Sequence, residues 1–308
     1  MTDAPPLKHV YLVDGSGFIF RAFHALPPMT RADGTPVNAV YGFVAMLMKL
    51  LAETDADHIA VIFDAKRENF RNDIYPDYKA HRPEAPEELI PQFALIREAV
   101  EAFNLPSVEM EGFEADDLIA TYAKEAVARG ADVTVVSSDK DLMQIVSDRV
   151  RMFDAMKNRE IGPEEVVEKF GLGPDKVVDI QALAGDSSDN VPGVPGIGVK
   201  TAAQLIEEYG DLDTLLAHAE EIKQPKRRQS LLDNAEMARI SRELVRLKDD
   251  VAVERTLDSF AKRKPDHDTL IAFLEAQDFK SVIARVEAAR IAADGNRAGT
   301  AADAAAVP

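Results

Sequence analysis

A short run at residues 111–120 gathers side chains that could hold a metal ion. Glu114, Asp116 and Asp117 stand after Gly112, at the start of an apolar helical pattern. Acids on the first turn of one helix share one broad side, and magnesium prefers such oxygen ligands. The helix macrodipole also favours acids at a first turn for purely structural reasons. Taken alone, the run favours this ordinary helix start over a metal site.

Further acids stand where predicted strands end. Apolar runs at 8–13, 58–63 and 132–138 alternate with helical patterns, which predicts a parallel α/β sheet whose ligands bind beyond the carboxyl ends of the strands. Carboxylates ~4 Å apart repel one another by about 4 kcal/mol per pair at an effective dielectric constant near 20. Acids converging on one rim therefore require cations. Those at the strand ends and in a later loop are Asp14, Asp64, Asp139, Asp141, Asp186 and Asp189.

Length and composition limit the number of domains and the classes of protein that the chain can belong to. Its 308 residues, 46% of them hydrophobic, allow one large domain or two modest ones. No apolar run approaches the ~20 residues of a membrane span, and residues 1–6 lack a secretory signal pattern. The absence of cysteine excludes disulfides and thiolate metal sites. We expect a cytoplasmic protein without membrane contact.

The net charge of −18 argues against a simple nucleic-acid binder, since such proteins tend to be basic. The charge is unevenly distributed, however. Residues 101–200 hold twenty acidic and ten basic side chains, whereas residues 200–248 hold nine of each. Bound divalent ions would cancel part of the acidic charge. Net charge therefore does not decide the partner.

Residues 66–83 mix basic and aromatic side chains, and the prolines at 76, 83, 86 and 91 argue against one continuous helix there. This mixture suits single-stranded nucleic acid, because rings stack on bases and cations meet phosphates. A solvated, mobile surface loop is an equally good interpretation. Arg21 follows the turn after the first strand, where it could hold a phosphate or simply form a salt bridge.

The stretch 186–200 is rich in glycine and proline and precedes a predicted helix from Thr201 to Tyr209. A glycine-rich turn before a helix offers backbone N–H groups to a phosphate. The spacing to Lys200 does not fit a P-loop, so a hairpin between two helices is the better interpretation. Helices are also predicted at 37–52, 89–103 and 268–290, and residues 292–308 form a small-residue tail that we expect to be disordered.

Three stretches together resemble a known family. They are Val13-Asp14-Gly15-Ser16, Gly112-Phe113-Glu114-Ala115-Asp116-Asp117, and the segment from Gly185 to Gly198 that begins Gly-Asp-Ser-Ser-Asp-Asn. In this order they closely resemble the 5′-nuclease (5′-3′ exonuclease) domain of bacterial DNA polymerase I, a member of the flap endonuclease superfamily. The resemblance covers residues 8 to about 290.

The resemblance implies a structure-specific nuclease that removes 5′ flaps and RNA primers with two or more Mg²⁺ or Mn²⁺ ions. Paired ions would activate a water and stabilise the leaving oxygen. We expect Asp116, Asp141, Lys79 and Arg82 to be catalytic. The first metal site is assigned to Asp14, Asp64, Glu114, Asp116 and Asp117, and the second to Asp139, Asp141, Asp186 and Asp189. The expected DNA contacts are Arg21, Arg71, Tyr78, Lys79, Arg82, Gly193, Gly196, Gly198 and Lys200.

The implied organisation has three parts. Residues 1–180 form an α/β nuclease core of the PIN type, with a parallel-rich sheet flanked by helices and a mobile arch at about 66–92. Residues 181–290 form a helical DNA-binding region with a helix-hairpin-helix element, which in the family often binds potassium. Residues 291–308 are a linker or tail, and we expect a monomer with a polymerase domain in the same parent chain.

Two other functions remain open at this stage. A non-catalytic DNA-binding module would explain the hairpin and the arch but not nine clustered acids. A metal-dependent phosphatase of the haloacid dehalogenase type also places an aspartate after its first strand. That class requires Asp-x-Asp, however, and this chain has Asp14-Gly15-Ser16 at that point.

Overall fold

The computed structural model describes residues 7–291. Contacts divide the chain into two compact units, each built from separated segments. The first unit holds the residues up to Phe18, Thr54–Ala85 and Pro106–Lys262, and the second holds Ile19–Glu53, Pro86–Leu105 and the residues from Arg263 onward. The predicted tail at 292–308 lies outside the described residues, as do residues 1–6.

A six-stranded sheet organises the first unit, in the order β3-β2-β1-β4-β5-β6. All neighbouring strands are parallel except β5 and β6, which are antiparallel. The central strands are buried runs of valine, isoleucine and leucine, as expected of a parallel sheet covered on both faces. The strands are β1 (His9–Asp14), β2 (His58–Ile62), β3 (Ser107–Val108), β4 (Asp132–Val136), β5 (Val150–Asp154) and β6 (Arg159–Ile161).

Helices make up most of the remaining chain. Those of the first unit, apart from α1, are α3 (Phe70–Ile74), α5 (Ala115–Ala128), α6 (Pro163–Phe170), α7 (Val177–Ala184), α8 (Val199–Tyr209), α9 (Leu212–Ala217), α10 (Pro225–Asp233) and α11 (Ala235–Val245). Short 3₁₀ helices lie at Asp141–Ile145, Pro174–Lys176, Ala219–Glu221 and Leu257–Phe260. The predicted α/β class, with a mostly parallel sheet flanked by helices and a helical C-terminal region, is confirmed.

The turn from β1 into α1 (Gly15–Ala25) explains its two glycines. A Cβ atom on Gly15 would lie 2.3 Å from the ring of Phe63, and one on Gly17 would lie 2.5 Å from Asp14 Oδ2. Because Gly17 has no side chain, its N–H approaches and donates to Asp14 Oδ1 at 2.8 Å. The glycines thus allow the chain to turn tightly around the aspartate that ends β1.

The helix that carries the acidic run packs on the sheet. Leu118, Ile119 and Tyr122 of α5 are fully buried in the same core as Val10 and Leu12 of β1. Burying such side chains contributes about 1.5–3 kcal/mol each. This apolar face fixes the N-terminus of α5, and with it the acids of its first turn.

The second unit contains α2 (Asn38–Glu53), α4 (Ile90–Ala102), α12 (His267–Ala276) and a helical stretch at 280–291, which agree with the helices predicted there. Buried Gln92 joins two of these helices, because its Oε1 accepts from the N–H of Ala39 at 2.7 Å and its Nε2 donates to Asn38 Oδ1 at 3.0 Å. The predicted boundary near residue 180 stays a prediction. Across residues 7–291, no helix combines the length and apolar character needed to cross a bilayer.

Candidate metal-dependent active site

Two acids at the ends of neighbouring strands β1 and β2 begin the site. Asp14 is buried, and its Oδ2 accepts from Ser137 Oγ, just beyond β4, at 2.8 Å. Asp64, after β2, accepts from the N–H of Ala115 at 2.8 Å and so connects that strand to α5. Burial raises the pKa of Asp14 to about 6, and the negative charges of Asp64 and Asp139 add to this rise.

Asp116 lies on the first turn of α5, in the same electrostatic environment. Burial raises its pKa well above the ordinary value, and the charges of Asp139, Asp14 and Glu114 raise it further. The sequence assigns Asp139 to the second metal site, yet here it acts on Asp116 and Asp14 as well as on Asp141. These acids repel one another strongly.

A second group of acids lies close together. Asp141, Asp186 and Asp189 each offer a carboxylate oxygen, and these three oxygens lie within 4.8 Å of one another. Asp141 begins a 3₁₀ helix, whereas the other two belong to the loop after α7. A two-residue bridge between Asp186 and Val191, with N–H···O distances of 2.9 and 2.8 Å, holds this loop. The grouping agrees with three of the four acids predicted for the second metal site.

Three basic side chains lie among these carboxylates. Lys79 donates to Glu114 at 2.6 Å and lies 3.6 Å from Asp189, while Arg82 contacts Asp189 at 2.5 Å. Lys140 forms an ion pair with Asp186. Burial alone would lower the pKa of the Lys79 ammonium, but the charges of Glu114 and Asp189 outweigh it and the pKa is raised. Lys79 therefore remains protonated at neutral pH.

Arg71, which the sequence predicted to contact a phosphate, is buried in the structure. Its side chain is 1% exposed, and its guanidinium donates to both oxygens of Asp117, at 2.7 and 2.8 Å. It also donates to the backbone carbonyls of Leu244 at 2.7 Å and Arg246 at 3.1 Å. With these partners the guanidinium is enclosed by protein, which favours a structural role. Its predicted contact with a DNA phosphate stays a prediction.

The same pair involves Asp117, one of the expected metal ligands. Its side chain is fully buried, and besides Arg71 it accepts from the backbone N–H groups of Lys248 at 2.9 Å and Glu114 at 3.1 Å. Both carboxylate oxygens are thus used by protein donors. Asp117 fixes Glu114, the residue that precedes α5, and its role as a metal ligand stays a prediction.

The predicted mobile arch is folded where it belongs to the first unit. Tyr78 is 5% exposed and donates to Glu114 Oε2 at 3.3 Å. The N–H of Lys79 donates to the carbonyl of Asp189 at 2.9 Å, and Asn190 donates to the carbonyl of Asp77 at 2.7 Å. Buried contacts of this kind offset the entropy cost of ordering, about 1–2 kcal/mol per residue. Residues 77–79 are thus held by contacts within the first unit, and the mobility of the arch at about 66–92 stays a prediction.

The glycines of the hairpin between α7 and α8 fall into two groups, one buried and one exposed. Gly193 is buried, a Cβ atom on it would lie 2.4 Å from the backbone nitrogen of Gly185, and its N–H donates to Ser241 Oγ at 3.0 Å. Gly193 serves packing, and its predicted contact with DNA stays a prediction. Gly196 and Gly198 are exposed, and a Cβ atom added to either would have no atom of residues 7–291 within 4 Å apart from its own chain neighbours. Exposed Lys200 follows on the first turn of α8.

Arg21 lies on the part of α1 that belongs to the second unit. It is partly buried. Its predicted phosphate contact stays a prediction.

The candidate metal ligands suit divalent cations. All the candidate ligands are carboxylate oxygens, which hard ions such as Mg²⁺ and Mn²⁺ prefer. Burial and mutual repulsion raise the pKa of Asp14, Asp116 and Asp141, so their ionised forms lack sufficient compensation from protein groups. A bound cation would supply that compensation.

Comparison with known proteins decides the family. Residues 9–171 match the family profile of the 5′-3′ exonuclease N-terminal resolvase-like domain, and residues 172–268 match that of the 5′-3′ exonuclease C-terminal SAM fold. The chain belongs to the 5′-3′ exonuclease family. The resemblance seen in the three sequence motifs is thereby confirmed, and so is the expected enzyme class.

Individual relatives agree with this membership. DNA polymerase I of Rhizobium leguminosarum is 60% identical over 286 residues, covering 90% of this chain but only 28% of that protein. The 5′-3′ exonuclease of Aquifex aeolicus is 36% identical over 283 residues, covering 91% of this chain and 96% of the relative. A solved structure of the T5 5′-exonuclease with divalent zinc ions aligns with a TM-score of 0.67 and 25% identity, over 87% of this chain and 98% of that one. The chain thus spans less than a third of the Rhizobium polymerase.

Proposed function

We propose that this chain is a structure-specific 5′ nuclease that hydrolyses phosphodiester bonds of 5′ flaps and RNA primers. The observation that carries the proposal is a carboxylate cluster that forms ion pairs with three basic side chains, Lys79, Arg82 and Lys140. Carboxylates suit divalent cations, and ammonium and guanidinium groups suit a phosphodiester. Membership of the 5′-3′ exonuclease family supports the same conclusion.

Two or more Mg²⁺ or Mn²⁺ ions would be held by the acids of this site. Asp141, Asp186 and Asp189 are the best supported, because their oxygens lie within 4.8 Å of one another. Asp14 and Asp116 are the next candidates, since burial and neighbouring acids raise the pKa of both. Such ions supply a polarised water and stabilise the leaving oxygen. Asp64, Glu114 and Asp139 would orient waters and neighbouring ligands.

Lys79 and Arg82 would act on the phosphodiester itself. Both pair with carboxylates of the site, at 2.6 Å for Lys79–Glu114 and 2.5 Å for Arg82–Asp189. Cations bound by the acids would weaken these pairs and favour a phosphate as the new partner of each basic group. A positive charge held at the reacting phosphate stabilises the charge that develops in the transition state. Tyr78 supports Lys79 through its own contact with Glu114.

The hairpin before α8 would hold the duplex part of the substrate. Gly196 and Gly198 leave space for a phosphate to approach the backbone, and the first N–H groups of a helix have no partner within it. A potassium ion at this hairpin, a polymerase domain in the same parent chain and a monomeric state complete the proposal. A nuclease that acts on replicating DNA would work in the bacterial cytoplasm.

The test compares substrates that differ only in structure. One labelled strand is presented as a 5′ flap, as a 3′ flap and as a free single strand, with Mg²⁺ or with a chelator. We expect cleavage near the junction of the 5′ flap in Mg²⁺ and no cleavage in the chelator. Equal cleavage of all three substrates would contradict structure specificity, and undiminished cleavage in the chelator would contradict metal dependence.

A further inference from the structure

Gln181 is a buried polar residue on α7 that belongs to no motif of the sequence. Its side chain lies beside the carboxylate cluster, because its Nε2 donates to Asp141 Oδ1 at 2.5 Å. The residue is 3% exposed. Its Oε1 is buried and has no hydrogen-bond partner among residues 7–291.

The orientation of this amide follows from its partner. An ionised carboxylate only accepts hydrogen bonds, so the NH₂ end of Gln181 must face Asp141 and the oxygen must face elsewhere. The nitrogen and oxygen of an amide are roughly 2.3 Å apart. Oε1 therefore lies within about 5 Å of Asp141 Oδ1. An unpartnered buried carbonyl costs about 1–3 kcal/mol, which calls for a donor close to the cluster.

Hydrated cations provide such donors. Magnesium binds proteins through a few carboxylates and keeps several of its waters. Loss of a residue that orients the ligands of a metal typically lowers metal affinity by about 10–100-fold. The oxygens of Asp141, Asp186 and Asp189 that lie within 4.8 Å of one another define where a cation would be. Gln181 already contacts one of these three acids and offers an acceptor.

We propose that Gln181 is a positioning residue of the metal centre, an inference that rests on the proposed function. Its amide nitrogen orients the carboxylate of Asp141, and its amide oxygen accepts a hydrogen bond from a water in the hydration shell of the bound cation. The amide thus contacts a metal ligand through its nitrogen and a metal-bound water through its oxygen. It does not itself touch the substrate.

The test measures binding of Mn²⁺ alone to the purified, metal-free protein by calorimetry. Gln181→Met keeps the length of the side chain and removes both polar ends, and it should weaken Mn²⁺ binding by about 10–100-fold. Metal-free stability should change little, because loss of the donor to Asp141 opposes the gain from removing the unpartnered oxygen. Equal Mn²⁺ affinity of Gln181→Met and wild type would overturn the inference.

A matched control separates positioning from packing. Gln92 is also fully buried, but in the second unit and with its hydrogen bonds satisfied by Ala39 and Asn38. Gln92→Met should lower the free energy of unfolding and leave Mn²⁺ affinity unchanged. If Gln92→Met weakened Mn²⁺ binding as much as Gln181→Met, the effect would be one of general packing and the inference would fail.

Two further results keep the inference distinct from the function on which it rests. If Asp189→Asn binds Mn²⁺ as tightly as wild type, the metal centre itself is misassigned and both proposals fail. If Asp189→Asn weakens binding and Gln181→Met does not, only the role of Gln181 fails. Should Gln181→Met not fold, the side-chain NH₂ signals of Gln181 in wild-type protein should shift on addition of Mg²⁺ while those of Gln92 stay fixed, and an absence of shift would overturn the inference.

Discussion

Removing the buried guanidinium of Arg71 should strongly destabilise the protein. Arg71 and Asp117 are 1% and 0% exposed, so Arg71→Ala leaves a carboxylate buried without its counterion. Loss of one partner of a buried ion pair costs about 3–5 kcal/mol. The carbonyls of Leu244 and Arg246 also lose their donor, which places the expected loss toward the upper end of that range. Urea unfolding monitored by circular dichroism measures this change.

The surface pair Arg129–Asp258 is the matched control. Its side chains are 37% and 60% exposed, so Arg129→Ala should cost less than about 1 kcal/mol. Removing both members of the buried pair, in Arg71→Ala/Asp117→Ala, should cost clearly less than the sum of the single losses. If Arg71→Ala unfolded like wild type but failed to bind flap DNA, Arg71 would be a DNA contact and the structural assignment would be refuted.

Three further predictions address the site. The pKa of Asp14 is raised from 3.8 to about 6, which favours the folded metal-free protein at low pH. About 3 kcal/mol of this stabilisation should be lost as the pH rises from about 4 through 6. In urea titrations, Asp14→Asn should lose less stability than wild type over that interval. Lys79→Ala should lower the single-turnover cleavage rate more than it lowers duplex affinity, because the charge of Lys79 acts in the transition state. If only duplex affinity fell, Lys79 would contribute to DNA binding and not to catalysis. Gly198→Ala adds a methyl group where, apart from the chain neighbours, no atom of residues 7–291 lies within 4 Å. Because Gly198 is the N-cap of α8, the free energy of unfolding should fall by no more than about 1 kcal/mol. Duplex binding should weaken for unrelated flap sequences alike, and an effect on one sequence alone would contradict a phosphate contact.

The scaffold of the site was predictable because it depends on local patterns. Buried apolar runs followed by Asp14 and Asp64 predict parallel strands that end at a common edge, and the structure has these strands as neighbours. Gly112 and the apolar pattern after Asp117 likewise predict the start of α5. In each case the signal lies within about ten residues of sequence, which is the reach of helical and strand periodicity.

The contacts that the sequence did not predict join residues that are distant along the chain. Arg71 looks like a phosphate contact among basic and aromatic neighbours, but its partners are at 117, 244 and 246. Gly193 looks like a phosphate-binding glycine, but its N–H belongs to Ser241. Gln181 gave no signal at all, since only folding brings it beside Asp141. The discontinuous second unit escaped prediction for the same reason.

The most direct test of the central claim is single-turnover cleavage of a 5′ flap by Asp116→Asn. Asp116 lies among Asp14, Asp139 and Glu114, and the substitution removes its charge while keeping its shape. We predict that cleavage in Mg²⁺ is lost while the affinity for the duplex, measured with a chelator present, is retained. Cleavage at the wild-type rate would show that this carboxylate cluster is not the catalytic centre.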